Sequence, residues 1–336
     1  MNRRTLGGTG ISVSDVALGA MMFGAMGNTD HADSERIINA ALDAGINFVD
    51  TADVYSHGES EQIVGRAIAT RRDEVVLATK FGLPMGDDPN RAGGSRRWIM
   101  QAVEGSLRRL GTDRIDLYQL HRHDSGTDLS ETLSALDDLI RAGKVLAVGA
   151  STFAAETIVE AQWVAQSRGT HRFISEQPMY SIFGRVPERA VFPVAQRHGM
   201  GVLTYSPLHG GWLSGRPRPE TGHRARTRAA LYDPETEAGQ RRHRALAALT
   251  ELAAEAGLTM PQLAIAFVTS HPAVSSAIIG PRTREQLDSL LTAADVELSD
   301  EVLDRIDEIV PPGTELNDDS YAATPAALLD PARRRR

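Results

Sequence analysis

The chain has 336 residues, 41% of them hydrophobic and 24% charged, a balance that builds a buried core and excludes a wholly disordered polymer. It contains no cysteine, so disulfides, thiolate metal sites and a cysteine nucleophile are excluded outright. A formal net charge of −8 argues against nucleic acid as a partner, because phosphate binding draws on a clustered basic surface.

No apolar run reaches the roughly 18 residues that span a bilayer, so no membrane partner is expected. The opening MNRRTLGGTGISVSDVALG has two arginines but no apolar core before a small-residue cleavage site, so no signal peptide is read and a cytoplasmic location is expected. The four arginines at 333–336 read as a solvated tail. Other basic positions are almost all arginine, and lysine stands only at Lys80 and Lys144. Lys80 closes the apolar run VVLATK, an odd place for a charge that only solubilises, and lysine has a tunable pKa that arginine lacks.

In chain order, TLGGTGISVS predicts a small hairpin, with Gly-Gly-Thr-Gly as turn between two β-prone runs. Eight short apolar runs follow: VALG (16–19), NFVD (47–50), VVLATK (75–80), IDLYQLH (115–121), VLAVGAS (145–151), FISEQ (173–177), GVLTYS (201–206) and AIIG (277–280). Each reads as a strand of a buried parallel sheet. Between them lie amphipathic segments. SERIINAALDAG opens at Ser34 as a cap and closes at Gly45, and SEQIVGRAIATR, SRRWIMQAVEGSLRRLG, LSETLSALDDLIRAG, ETIVEAQWVAQSRG and PERAVFPVAQRHG share its form. After the seventh strand come a polar stretch (216–240) and a long helical stretch (241–269), and the last strand precedes TREQLDSLLTAA and an extra helix, DEVLDRIDEIV.

Eight strand–helix units predict an α/β fold, a closed (β/α)8 TIM barrel, over about residues 3–310, with 311–336 as loop or tail and residues 1–336 forming one domain. The competing open sheet of Rossmann type is disfavoured, since no GxGxxG follows a strand and no second domain is visible. Barrel enzymes place their chemistry where strands end. The residues at those ends are Asp50 with Tyr55, Lys80, His121, Ser151 with Thr152, Gln177, and Tyr205 with Ser206.

The blocks NFVDTADVYSHGESE, VVLATKFG, DLYQLHRHD, GASTF, EQPMYS and TYSPLHGGWLSG, in this order, closely resemble the aldo-keto reductase family over about residues 3–310. The resemblance implies four catalytic positions: Asp50, Tyr55 as general acid, Lys80 and His121. Taken singly, Asp50 reads as a cap or turn residue, Tyr55 as a rim aromatic, Lys80 as a salt-bridge partner and His121 as a solvated side chain. Their joint occurrence with the flanking blocks favours the functional reading. Chemistry agrees: a phenol is a poor acid at neutral pH, and a lysine beside Tyr55 is expected to lower its pKa, with Asp50 holding the ammonium. His121 would hydrogen-bond the carbonyl oxygen. His123 reads as structural or as substrate rim.

The resemblance also implies NADPH rather than NADH, bound extended across the barrel mouth. Ser151 and Gln177 should bond the nicotinamide carboxamide, Tyr205 should stack on the ring, and Met21 and Asp50 should lie near the ribose. Ser206, Leu208, Gly210, Leu213 and Gly215 should line the pyrophosphate through backbone N–H groups. In GPRTREQL (280–287), Gly280, Arg282, Thr283 and Gln286 should hold the 2′-phosphate and adenine at a helix start. The chain departs from the common pattern in two places. Thr152 stands where many members have asparagine, and Ser289 and Leu290 stand where some carry an adenine-clasping asparagine or acid. No metal site is read.

The substrate is expected to be a small carbonyl compound, held by Met22, Phe23, loop 82–95, Met179–Phe183, Trp212, Tyr55 and segment 216–240, in which RPRPETGHRARTR is expected to order on binding. EQPMYSIF and SPLHGGWLSG resemble members of deoxysugar biosynthesis, which keeps a keto- or enoyl-sugar reductase as the alternative. Histidine on the fourth strand favours C=O over isolated C=C reduction. A cofactor-sensing accessory subunit is the remote alternative. A homo-oligomer is allowed but not predicted.

Overall fold

A computed structural model describes residues 1–215 and 235–316. The chain opens with an antiparallel hairpin, β1 (Arg3–Thr5) and β2 (Ser12–Ser14), paired Arg3 to Ser14. The barrel strands are β3 (Val16–Gly19), β4 (Phe48–Asp50), β5 (Val76–Phe81), β6 (Ile115–Leu120), β7 (Val145–Ser151), β8 (Ser175–Gln177), β9 (Gly201–Tyr205) and β10 (Val274–Ile279). They close in sequence order, every neighbour parallel, with β10 completing the ring against β3. All eight predicted strands are present. The last begins at Val274, earlier than its apolar signal, and the sixth is reduced to three residues.

The helices are α1 (His31–Asp43), α2 (Glu59–Ile68), α3 (Arg96–Leu110), α4 (Leu129–Arg141), α5 (Ala155–Arg168), α6 (Val191–Arg197), α7 (Glu237–Glu255), α8 (Met260–Ser270), α9 (Arg284–Leu291) and α10 (Asp300–Ile309). Helix α1 begins three residues before the expected Ser34 cap. Asp30 takes that role, accepting from Asp33 N–H, while Ser34 is buried in the first turn. The stretch 241–269 is two helices rather than one. Gly257 at φ +67° breaks it, and Thr259 with Gln262 forms a capping box that restarts it. The polar stretch 216–240 likewise gives way to α7 at Glu237, capped by Thr236. Segment 216–234, including RPRPETGHRARTR, and the tail 317–336 lie outside the described residues.

Alternation along the strands sorts side chains into two cores. Val16, Leu18, Val49 and Leu77 face the helix ring, while Ala17, Phe48, Ala78, Leu117, Ala147, Leu203 and Ile278 pack with Leu6 and Val13 of the hairpin region inside the barrel. The hairpin thus stoppers the end opposite the strand termini. Among the described residues no single helix is long and apolar enough to cross a membrane.

The stopper fits through Gly7, at φ +56°. A methyl group there would lie 2.7 Å from Gly201 N, 2.8 Å from Gly199 O and 2.9 Å from Ile174 O, all backbone that cannot swing aside. Gly7→Ala is therefore expected to lose about 2–4 kcal/mol, combining left-handed strain with overpacking. A urea midpoint as high as that of the parent would refute this seating of the hairpin.

Candidate active site

Because every barrel strand is parallel, all eight strand ends open at one mouth, and in-register pairing sets their side chains at matching depth. Asp50 pairs with Ala78, and Lys80 with Gln119. Lys80 is fully buried and forms an ion pair with the 3% exposed Asp50. Lys80 Nζ also donates to the Thr51 carbonyl at 3.0 Å and lies 3.4 Å from the Tyr55 hydroxyl. The second Asp50 oxygen accepts from Gln119 Nε2 and Gln177 Nε2, each at 3.0 Å. The Tyr55 ring meets His121 edge-on, centroids 5.8 Å apart, and His121 N–H donates to Phe81 O at 2.8 Å.

Asp50, Tyr55, Lys80 and His121 are thus brought together. Gln119 was missed, although its signal was available: an amide inside the apolar strand IDLYQL, on the parity of the strand-end histidine. Tyr55 is held by an unusual turn. Ser56 (φ +49°) and His57 (φ +54°) both adopt the left-handed region ahead of Gly58. Ser56 Oγ accepts from Met26 N–H at 3.1 Å and donates to Phe23 O at 3.3 Å, tying this turn to the loop after β3.

Electrostatics assign protonation states. Burial pushes His121 well below the ordinary histidine value, and the Lys80 and Arg122 cations push the same way, so the imidazole is neutral. Burial works against the Lys80 charge, but Asp50 and Tyr55 outweigh it and raise its pKa. For Tyr55 the expected lowering by lysine is not what the structure shows. Dense protein around the hydroxyl is the largest influence and raises its pKa, and Lys80 only partly opposes it. The phenol therefore holds its proton across the neutral range. Two further carboxyls at this end are also shifted by burial: Asp53, whose two oxygens are buried without hydrogen-bond partners among the described residues, is pushed up to about 8. Glu176 is likewise pushed up to about 8.

The expected cofactor positions fall around the same mouth, with differences. Ser151 Oγ donates to Gln177 O at 2.9 Å. Gln177 spends its amide nitrogen on Asp50 and, at 3.1 Å, on Gln119 Oε1, which leaves its amide oxygen as the atom suited to accept from a carboxamide. Thr152 sits at φ +57°, a region asparagine enters far more readily than a β-branched residue, and its hydroxyl accepts from Arg122 at 2.9 Å. The loop after β9 carries Ser206, His209, Gly210, Gly211 and Gly215 at positive φ, a backbone shape that turns successive N–H groups to one side. The Leu213 side chain is fully buried and its N–H donates to Leu208 O at 3.2 Å.

Thr283 caps α9, and Gln286 Oε1 accepts from Arg282 N–H at 2.8 Å, so Gln286 braces the turn while the Arg282 side chain is exposed. A cleft lined by Ser214, Gly215, Met260, Pro261 and Ser289 continues from the β9 loop towards α9. Gly280 is exposed at its edge of the barrel and Met21 is half-buried after β3. Several expected pocket walls are core instead. Phe23 is fully buried and Met179 to Phe183 are buried, with the Tyr180 hydroxyl donating to Glu188 at 2.6 Å. His123 packs edge-on against Phe153, centroids 5.4 Å apart. Trp212 remains half-buried beside His243.

A buried lysine–carboxylate pair beneath a protonated tyrosine and a neutral histidine, at the carboxyl end of a parallel barrel, defines a barrel enzyme equipped for proton transfer to oxygen. A sequence model of the aldo/keto reductase family matches residues 15–311. The uncharacterized oxidoreductase YrpG of Bacillus subtilis is 39% identical over 92% of this chain and 96% of its own length. Versiconal hemiacetal acetate reductase of Aspergillus parasiticus is 34% identical over 92% and 96%. A probable voltage-gated potassium channel subunit beta of Oryza sativa subsp. japonica is 35% identical over 92% and 97%. The chain belongs to the aldo/keto reductase family and is an oxidoreductase.

Glu176 accepts from Phe153 N–H at 2.9 Å and so pins the turn that carries Thr152. With its folded pKa near 8 and an unfolded value near 4.5, the folded state binds more protons between these limits, so this group makes stability fall as pH rises from about 4.5 to 8. Glu176→Gln keeps the acceptor and removes the titration. Urea melts should show the variant gaining on the order of 1–3 kcal/mol over the parent at pH 8 and nothing at pH 4. An equal effect at both pH values would contradict the buried, protonated carboxyl.

Proposed function

We propose that this protein reduces an aldehyde or ketone to an alcohol with NADPH, in the cytoplasm, with Tyr55 as general acid. The bound cofactor supplies the hydride that attacks the carbonyl carbon. Tyr55 gives its proton to the carbonyl oxygen, and the neutral His121 donates a hydrogen bond to the same oxygen. The observation that carries this reading is the Lys80 ammonium, locked by Asp50 and set 3.4 Å from the Tyr55 hydroxyl. In the resting site burial keeps the phenol protonated. As the proton leaves, the phenolate forms beside a fixed cation, so the stabilisation is realised in the transition state rather than before it.

The open amide oxygen of Gln177, the Ser151 hydroxyl and the left-handed β9 loop suit a carboxamide and a pyrophosphate, and the exposed Arg282 at the start of α9 suits a 2′-phosphate. These features favour NADPH over NADH. The relatives named as potassium channel subunits span the chain as fully as the reductases do, so identity alone does not separate the two readings. The complete tyrosine–lysine–aspartate–histidine cluster supports turnover.

Reduction of 4-nitrobenzaldehyde, followed by loss of reduced-nicotinamide absorbance, tests this. Tyr55→Phe is expected to lower kcat by about 100- to 10,000-fold while NADPH still binds. Wild-type rates in that variant would remove Tyr55 from the chemistry. Arg282→Ala should weaken NADPH about 10-fold by fluorescence titration and leave NADH little changed. Equal weakening of both would assign Arg282 no role at the 2′-phosphate.

A further inference from the structure

Arg122 follows His121 directly, at the same mouth. Its side chain is half-buried and held in place: one guanidinium nitrogen donates to His121 O at 2.7 Å and to Thr152 Oγ1 at 2.9 Å. The cation is close enough to bear on His121, Tyr55 and Glu176. Several other partly buried arginines are matched by carboxylates, Arg72 by Asp116 at 2.7 Å, Arg109 by Glu61 at 2.6 Å and Arg185 by Glu188 and Asp307 at 2.8 and 2.6 Å, whereas Arg4 and Arg172 lie away from the strand-end residues of the mouth and donate to neutral oxygens. Arg122 has no ion-pair partner among the described residues. Its other two nitrogens make no hydrogen bond there either.

The surroundings do not cancel this charge. Asp50 is committed to Lys80, its first neighbour. His121 is neutral, and Tyr55 keeps its proton. Glu176, a carboxyl that the Arg122 charge acts on, is pushed up to about 8 by burial and is mostly uncharged at neutral pH. One whole positive charge is therefore left at the mouth of an acidic protein, on a guanidinium whose remaining donors suit a forked contact with two oxygens. Leaving a half-buried cation unpaired is costly, and an arriving anion offsets that cost.

We propose that Arg122 is the docking point for a carboxylate, or an oxyanion of like geometry, carried by the carbonyl substrate on the side of His121. This inference rests on the reductase reading above and names the substrate class: anionic aldehydes or ketones in preference to neutral ones. Arg122 binds and orients the substrate, and the proton and hydride steps remain as described.

The test compares 4-carboxybenzaldehyde with 4-nitrobenzaldehyde, planar isosteres that differ in charge, and the 3-substituted pair, which places the charge nearer the carbonyl. With NADPH, the carboxylate-to-nitro ratio of kcat/KM is measured for the wild type, Arg122→Gln and Arg122→Lys. For at least one isomer pair, Arg122→Gln should reduce the ratio about 10- to 100-fold, through KM, and Arg122→Lys should restore part of it. The ratio cancels any general loss from the Arg122 contact to His121 O, which strikes both aldehydes alike. If both variants lower the two rates in proportion, Arg122 only supports the loop and the inference is overturned. If NADPH affinity falls while the ratio stands, Arg122 serves the carboxamide end of the cofactor and the inference is overturned. Should the wild type turn over none of the four aldehydes, the reductase reading fails and takes this inference with it. Competitive inhibition by benzoate but not benzamide, lost in Arg122→Gln, is expected as the equilibrium counterpart.

Discussion

The Asp50–Lys80 ion pair inside the barrel mouth is the constraint around which the rest of the site is arranged. Two full charges buried at this depth are tolerated only when their remaining donors and acceptors are filled. Here Gln119 and Gln177 fill the second carboxylate oxygen, and the Thr51 carbonyl takes another ammonium proton. Four strands, β4, β5, β6 and β8, contribute to that one cluster. Its geometry therefore depends on barrel closure and register, since a one-residue slip would turn Lys80 out towards the helices.

With the ammonium fixed, the phenol placed over it acquires a particular balance. Burial favours the protonated phenol, and the cation favours the phenolate, so neither influence alone describes the group. The same desolvation keeps His121 uncharged, leaving it a hydrogen-bond donor rather than a second cation against the carbonyl. The strained residues Ser56, His57, Thr152, Ser206 and His209 all lie in loops at this end, where backbone shape serves the mouth rather than the core.

Much of this was legible in the chain. Short strands of alternating or continuous apolar character marked all eight barrel elements, because a strand buried on both faces leaves that pattern whatever its neighbours are. The lysine at the end of VVLATK stood out in a chain that otherwise uses arginine almost throughout. Other features were written in the sequence but read too coarsely. Asp30 rather than Ser34 caps α1, and Gly257 followed by Thr259 and Gln262 stops one helix and starts the next. Phe23 and Met179 to Phe183 sit in loops near strand ends, where pocket walls are expected, yet the loops fold inward and bury them.

What the sequence by itself determined is the order and type of elements and the identity of the groups at the strand ends, since periodicity and residue chemistry are local properties. What only the tertiary structure decided is how those groups act on one another. That Gln119 joins Gln177 on Asp50, that burial outweighs Lys80 at the Tyr55 hydroxyl, and that Arg122 stands without a carboxylate partner among the described residues all depend on distances between segments far apart in the chain. Charge interactions and desolvation are set by those through-space distances, and no spacing along the sequence encodes them.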